Sequence, residues 1–155
     1  MGTSGGIVDE VCGGDIVIAT AAIRQEGTSR EYLPIEFPAA ADFSVVAALR
    51  EAAVRLGLTH HIGVIQSKDS FYGEIRPQCQ PIAADLKEKW TAWTAAGVLA
   101  SEMEAAALYL NAARLGKNAL TICTISDNPF TGEELDAEAR QNTFTQMMEI
   151  ALEIA

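Results

Sequence analysis

Short apolar runs alternate with amphipathic segments along the chain, and this alternation limits the possible folds more than any other feature. Residues 15–23 and 119–125 are mainly apolar, with the length and composition typical of buried strands. Between them, Val46, Leu49 and Leu56 recur at a spacing that places them on one face of a helix. The pattern predicts an α/β fold with three layers, α/β/α, around a mixed or mostly parallel central sheet.

The ends of the first helix carry the clearest local signals. Asp42 is a suitable helix N-cap, and Gly57 is suited to end the same helix. The same reasoning predicts further helices over residues 82–97 and 104–115 and from residue 136 onward, short strands over 62–65 and 98–100, and loops over 2–6, 24–30 and 67–80. No internal repeat or long linker interrupts the series, so we expect residues 1–155 to form a single domain.

Composition excludes several classes of function. The chain has 155 residues, 49% of them hydrophobic, and a net charge of −10, which disfavours nucleic-acid binding. Its three cysteines are far apart and belong to no Cys/His cluster, so neither a disulfide framework nor a zinc site is expected. No apolar run approaches the roughly 18 residues of a membrane-spanning helix. We therefore expect a cytoplasmic protein without membrane or nucleic-acid partners.

Three polar clusters follow predicted strands, at residues 67–76, 101–104 and 126–128. Ligands of α/β sheets gather at the carboxyl ends of strands, which makes these clusters candidates for a binding site. In the second cluster, Glu102 and Glu104 could accept hydrogen bonds from the hydroxyls of a ribose. The alternative is that these carboxylates are there only because the helix dipole stabilises negative charge at a helix N-terminus. That explanation accounts well for one glutamate and less well for two.

The remaining candidates each have a structural alternative. Asp127 is placed to act as a general acid, or to form only a turn, and Arg140 could pair with it or remain a solvated helix charge. Phe71 could stack on a base or belong to the core. The Gly-rich segment from Gly2, with the hydroxyl of Thr3, could bind an anion, although an isolated segment of this kind is weak evidence. His60 and His61 lack further ligands at metal spacing, so we expect no metal.

Taken together, the motifs resemble those of the nucleoside phosphorylase-I family, which contains uridine phosphorylase and bacterial purine nucleoside phosphorylase. The matching segments are the family's phosphate loop at Gly2-Thr3-Ser4-Gly5-Gly6, the strand at Gly14-Asp15-Ile16-Val17-Ile18, the ribose motif at Ser101-Glu102-Met103-Glu104-Ala105-Ala106-Ala107, and Arg140-Gln141-Asn142-Thr143-Phe144 after residues 121–127. The ribose motif is the most specific of these. The resemblance covers essentially the whole chain.

The resemblance implies phosphorolysis of a nucleoside to free base and ribose 1-phosphate, with phosphate as co-substrate and no organic cofactor. By residue, it implies phosphate binding by Gly2 and Thr3, ribose binding by Glu102, Met103 and Glu104, base binding by Phe71, Glu74 and Arg76, and protonation of a purine base by Asp127 assisted by Arg140. It also implies a homo-oligomer, since family members are hexamers built from dimers.

Two departures from the family pattern leave alternatives open. A long N-terminal segment precedes the phosphate loop in family members, whereas here Met1 stands directly before it, so we expect the C-terminal majority of a larger domain. The base signature is mixed, because Glu74 stands where uridine enzymes use Gln while Asp127 favours a purine. We slightly favour the uridine type. The alternatives are a purine nucleoside phosphorylase, an inactive remnant that binds nucleoside or needs a separate N-terminal half, and an α/β domain without a ligand.

Overall fold

The computed structural model describes residues 1–154, and it leaves the side chain of Glu74 outside the description. Within that range, strands and helices alternate in the order β1 (Gly2–Gly6), β2 (Ile16–Gln25), α1 (Thr28–Tyr32), β3 (Ala39–Ala40), α2 (Phe43–Leu56), β4 (His60–Lys68), α3 (Phe71–Ile75), a 3-10 turn (Pro77–Cys79), α4 (Ala83–Ala95), β5 (Ala100–Glu102), α5 (Ala105–Arg114), β6 (Thr121–Asn128), β7 (Glu133–Glu134) and α6 (Ala137–Leu152). No helix among these residues is both long enough and apolar enough to cross a bilayer.

The central sheet is mixed, as predicted, and it closes on itself. Its order is β3-β2-β4-β5-β1-β6-β7, and β2 pairs in addition with β6. Strands β2, β4, β5, β1 and β6 therefore form a ring, in which β2–β4, β4–β5 and β1–β6 are parallel and β1–β5 and β2–β6 are antiparallel. Among residues 1–154, closure leaves no free edge within the ring, and the two-residue strands β3 and β7 are the only ones that extend it.

Helices cover two faces of the sheet and give the predicted three layers. Alternate residues of β2 point to opposite sides, so Ile16 and Ile18 belong to one apolar core and Val17 to another. The first core contains the buried residues of α2 and α6, and the second contains those of α5 together with Trp90 of α4. The predicted signals at the ends of α2 are confirmed, since Asp42 accepts hydrogen bonds from two backbone amides and Gly57 has φ 68°.

Three predicted loops are wrong. Gly2–Gly6 is the strand β1, paired with both β5 and β6, rather than a loop. A Cβ atom at Gly6 would lie 2.9 Å from Asn128 Nδ2, so the close approach of β6 accounts for that glycine. The predicted loop 24–30 contains the end of β2 and the start of α1, and 67–80 contains α3 and the 3-10 turn. The polar residues 126–128 also continue β6 instead of forming a turn.

Tyr109 ties helix α5 to strand β6, and its replacement tests this packing. The tyrosine is 2% exposed, and its Oη accepts a hydrogen bond from the backbone N–H of Thr121 at 3.0 Å. Tyr109→Phe leaves that buried N–H unpaired, so we expect the free energy of unfolding to fall by about 1–3 kcal/mol in urea titrations. Tyr72→Phe is the matched control, because Tyr72 is 67% exposed. Equal stability of the two variants would contradict the prediction.

Candidate functional site

A cavity of about 240 Å³ lies where the chain brings its three predicted polar clusters together. Six of the predicted site residues line it, namely Thr3, Phe71, Glu102, Met103, Glu104 and Asp127. Strand β1 organises the centre, because Gly5 pairs with Ser101 of β5 on one side and with Asp127 of β6 on the other. The register of β1 against β6 shifts between Ser4 and Gly5, a local irregularity of the kind that strands show next to active sites.

Glu102 is buried at the end of β5 and already has several hydrogen-bond donors. Its Oε2 accepts from the backbone N–H groups of Glu104 at 2.8 Å and Ala105 at 2.7 Å, and its Oε1 accepts from the hydroxyl of Ser67. The Ser67 hydroxyl accepts in turn from the N–H of Ala106 at 2.9 Å. Glu102 thus caps helix α5 and ties it to strand β4. The carboxylate of Glu102 therefore has a structural function. Its contact with ribose stays a prediction.

Glu104 also lines the cavity, but its carboxylate differs from that of Glu102 in having no hydrogen-bond donors from the described residues. It occupies the N-cap position of α5, is exposed, and has no hydrogen bond to its carboxylate from any group within residues 1–154. Met103 beside it is 37% exposed. Of the two glutamates predicted to bind ribose, Glu104 therefore has the carboxylate free to accept hydrogen bonds from a ligand.

Asp127 faces two connected cavities. Its Oδ1 accepts a hydrogen bond from the Ser126 hydroxyl at 2.5 Å. A second cavity, of about 650 Å³, shares Thr3, Phe71 and Asp127 with the first and continues toward Arg140. Asp127 is the predicted general acid, and it lies where a ligand in either cavity would meet it.

Arg140 lines the second cavity, but the hypothesis that it pairs with Asp127 is not confirmed. Its guanidinium donates instead to Glu134 Oε1 at 2.8 Å. The reason is the pairing of β7 with β6, which places Glu134 opposite Asp127 and brings its carboxylate toward helix α6. The Nε of Arg140 is buried and without a hydrogen-bond partner among the described residues, so this donor remains available to a ligand.

The other predicted residues meet the cavity less directly. Phe71 lies at its edge, 53% exposed, with its ring 5.5 Å from that of Tyr72 in an edge-to-face arrangement. Arg76 is exposed after α3 and lines neither cavity, and Gly2 is also outside their lining. The side chain of Glu74 lies outside the described residues. No group of three or more His, Cys, Asp or Glu residues in the described part of the chain is arranged to hold a metal ion.

Lys68 is a cavity residue that the sequence reasoning missed. It ends strand β4, is 7% exposed and lines the first cavity, with its Nζ 5.6 Å from the centre of the Trp90 ring. Burial lowers its pKa to about 8, while the charges of Asp127 and Glu102 act in the opposite direction. The sequence offered no local signal for it, because Lys68 follows the polar residues Gln66 and Ser67 and stands at the start of a polar stretch, where a lysine is ordinary.

Comparison with known proteins places this chain in a family. The sequence profile of the phosphorylase superfamily matches residues 1–155. A uridine phosphorylase of Treponema pallidum (strain Nichols) is 54% identical over 110 residues, which cover 71% of this chain and 43% of that protein. DeoD-type purine nucleoside phosphorylases of Clostridium perfringens (strain SM101 / Type A) and Listeria welshimeri are 38% and 42% identical over 156 residues, covering 100% of this chain and 62% of each relative. The matched regions thus span less than two thirds of these relatives.

Proposed function

This chain belongs to the phosphorylase superfamily, and from that premise we propose that it catalyses the phosphorolysis of a nucleoside. In this reaction inorganic phosphate attacks the anomeric carbon of the ribose, and the base leaves. The observation that carries the proposal is the single cavity that joins Thr3, Glu104 and Asp127, one residue from each of the predicted phosphate, ribose and base regions. We propose further that phosphate is the co-substrate and that no organic cofactor takes part.

In this proposal, different residues of the cavity bind the phosphate, the ribose and the base. Thr3, on β1, offers a hydroxyl to phosphate, and Glu104 offers a free carboxylate to the ribose hydroxyls. Breaking the glycosidic bond leaves positive charge on the sugar, which a nearby carboxylate stabilises. Asp127 and Phe71 then face the base, Phe71 with the face or edge of its ring and Asp127 with its carboxylate.

The base is proposed to be uracil, with hypoxanthine as the alternative. The stronger identity, 54% over 110 residues, is to a uridine phosphorylase. A specific observation supports the purine alternative, since Arg140 and Asp127 line the second cavity of about 650 Å³, which offers room beyond the first. Incubating the purified chain with phosphate and either uridine or inosine, and separating the products by chromatography, tests both. Release of hypoxanthine without release of uracil would reverse the preference.

Replacing Glu104 tests the ribose assignment. Glu104→Gln removes the charge that accepts from the ribose hydroxyls, at a cost of about 1.5–3 kcal/mol, so we expect kcat/KM to fall by about 10- to 100-fold. The matched control is Glu10→Gln, because Glu10 is an exposed glutamate outside both cavities. Unchanged kinetics of Glu104→Gln in a chain that is otherwise active would remove Glu104 from the site.

We also propose that the protein acts as a homo-oligomer, which follows from the family and from no contact described above. Light scattering of the purified chain measures its mass directly, and a monomer at micromolar concentration would contradict the proposal. The cytoplasmic location expected from the sequence stays a prediction, which cell fractionation tests.

A further inference from the structure

Lys68 is a cavity residue to which neither the motifs nor the proposed mechanism gives a function. It lines the first cavity together with Phe71 and Asp127, which face the base in the proposed mechanism, and with the buried Glu102. Among the described residues that line this first cavity, it is the only one with a positively charged side chain. A lysine that is 7% exposed is uncommon, because burying an ammonium group costs free energy unless nearby charges compensate for it.

The surroundings of Lys68 show what compensates for burial. The carboxylates of Asp127 on β6 and Glu102 on β5 both interact favourably with its charge. The ring of Trp90 on α4 lies 5.6 Å from Nζ, within the range of a cation–π contact. Glu102 is committed to capping α5, whereas Asp127 faces the cavity. The charge of the Lys68 ammonium is therefore favoured by Asp127, and both residues line the cavity that Phe71 also lines.

We propose that Lys68 recognises a carbonyl oxygen of the nucleobase and gives its proton to the base as it leaves, so that the chain takes nucleosides of oxo-bases, uracil or hypoxanthine. This inference rests on the proposed phosphorolysis. An ammonium group only donates hydrogen bonds, and a carboxylate only accepts them. Lys68 and Asp127 together thus match the adjacent C=O and N–H groups that both oxo-bases present. Adenine has an amino group in place of that oxygen.

In this step one bond at the anomeric carbon replaces another, and one proton moves to the base. The bond between the anomeric carbon and the base nitrogen breaks, and its electron pair goes to the base, where it delocalises onto the carbonyl oxygens. An oxygen of hydrogen phosphate forms the new bond to the anomeric carbon. The Lys68 ammonium transfers one proton to the base, which leaves neutral, and the resulting amine takes a proton back from solvent, into which the sugar phosphate releases its own.

The protonation state of Lys68 suits this step near neutral pH. Burial lowers its pKa to about 8, and general acids are most effective when their pKa lies near the working pH. The ammonium form dominates below that value, so kcat/KM is expected to fall as the pH rises through about 8. Among the described side chains, the charged groups that share a cavity with it are Asp127, Glu102 and Glu104 in the first cavity, and Asp69 and Lys89 in a smaller one.

The experiment compares Lys68→Met and Lys68→Arg with the control Lys117→Met, a change of an exposed lysine outside these cavities. Uridine, inosine and adenosine are each supplied with inorganic phosphate. For each nucleoside, kcat, the KM for the nucleoside and the KM for phosphate are measured from pH 6 to 9. We expect Lys68→Met to lower kcat for the accepted oxo-nucleoside by about 10²-fold and to lose the decline above pH 8. Lys68→Arg keeps the donor and the charge, so this variant should still bind the nucleoside. Because arginine loses its proton only at a much higher pH, the fall of kcat/KM at alkaline pH should move to a higher pH. For the wild-type protein, kcat/KM should be about 10-fold or more higher for the accepted oxo-nucleoside than for adenosine.

The contrary outcomes separate two failures. An active wild-type chain whose Lys68→Met variant keeps its kcat and pH profile, or raises only the KM for phosphate, overturns the function given to Lys68 and leaves phosphorolysis in place. Preference for adenosine overturns the oxo-base assignment. A wild-type chain that releases no base from any of the three nucleosides overturns the proposed phosphorolysis, and the function of Lys68 with it. Thermal melting of each variant verifies that it is folded.

Discussion

Replacing Asp127 with alanine is expected to lower kcat/KM for phosphorolysis by about 10²- to 10³-fold while leaving the fold intact. Asp127 borders both cavities, and the charge of its carboxylate acts on the Lys68 ammonium. Its removal takes away the acceptor for the base N–H and part of what keeps Lys68 charged. Among the described residues, the hydrogen bond to the Asp127 carboxylate comes from the neighbouring Ser126, so the substitution breaks no hydrogen bond between strands.

Asp127→Asn and Asp9→Asn complete this test. Asparagine preserves the shape of the side chain but not its charge, so a loss similar to that of Asp127→Ala would show that the charge matters. Asp9 is exposed and outside the cavities, and its change to Asn should leave kcat/KM within experimental error. Activity retained by Asp127→Asn and Asp127→Ala alike would exclude Asp127 from the reaction.

The largest effect on stability is expected from Glu102→Ala. The substitution leaves two backbone N–H groups at the start of α5 and the hydroxyl of Ser67 without their acceptor, and the N–H of Ala105 and the Ser67 hydroxyl are buried. Each unpaired buried donor costs about 1–3 kcal/mol, and the solvent that enters the vacated space offsets part of it, so we expect a total of about 3 kcal/mol. For a chain of this size that corresponds to a melting temperature lower by about 6–12 °C.

The neighbouring Glu104 provides the control for Glu102. Glu104→Ala removes a carboxylate with no hydrogen bond from the described residues, so calorimetry should find its melting temperature close to that of the wild type. The two variants separate the functions of the paired glutamates, one structural and one directed at the ligand. If Glu104→Ala destabilised the protein as much as Glu102→Ala, this separation would be wrong.

Local patterns in the sequence predicted those parts of the fold whose causes are local. The ends of α2 follow from Asp42 and Gly57, because a side-chain acceptor and a left-handed residue act within one turn of the helix. The three layers follow from the alternation of apolar runs. By contrast, β1 was predicted as a loop, because its glycines have little strand preference and its partners β5 and β6 are far away in the sequence.

The candidate site was predicted in the same uneven way. The motifs identified residues that the fold collects around one cavity, including Thr3, Glu104 and Asp127. They did not reveal that Glu102 is occupied as a cap, nor that Arg140 bonds to Glu134, because both depend on distances across strands. Lys68 was missed because only its burial distinguishes it from an ordinary surface lysine.

The closed ring of strands also has a consequence for the order in which the molecule is assembled. Strand β1 finds its partner β6 only across most of the chain, as the hydrogen bond between Ser4 and Ser126, 122 positions apart, illustrates. Contacts of such separation form slowly, because the entropy of closing a long loop is lost before they contribute. We therefore expect the cavity to be among the last regions to form during folding. Until β6 is in place, β1 presents an unpaired edge to other chains, so we expect the yield of folded protein to depend on protecting that edge during synthesis.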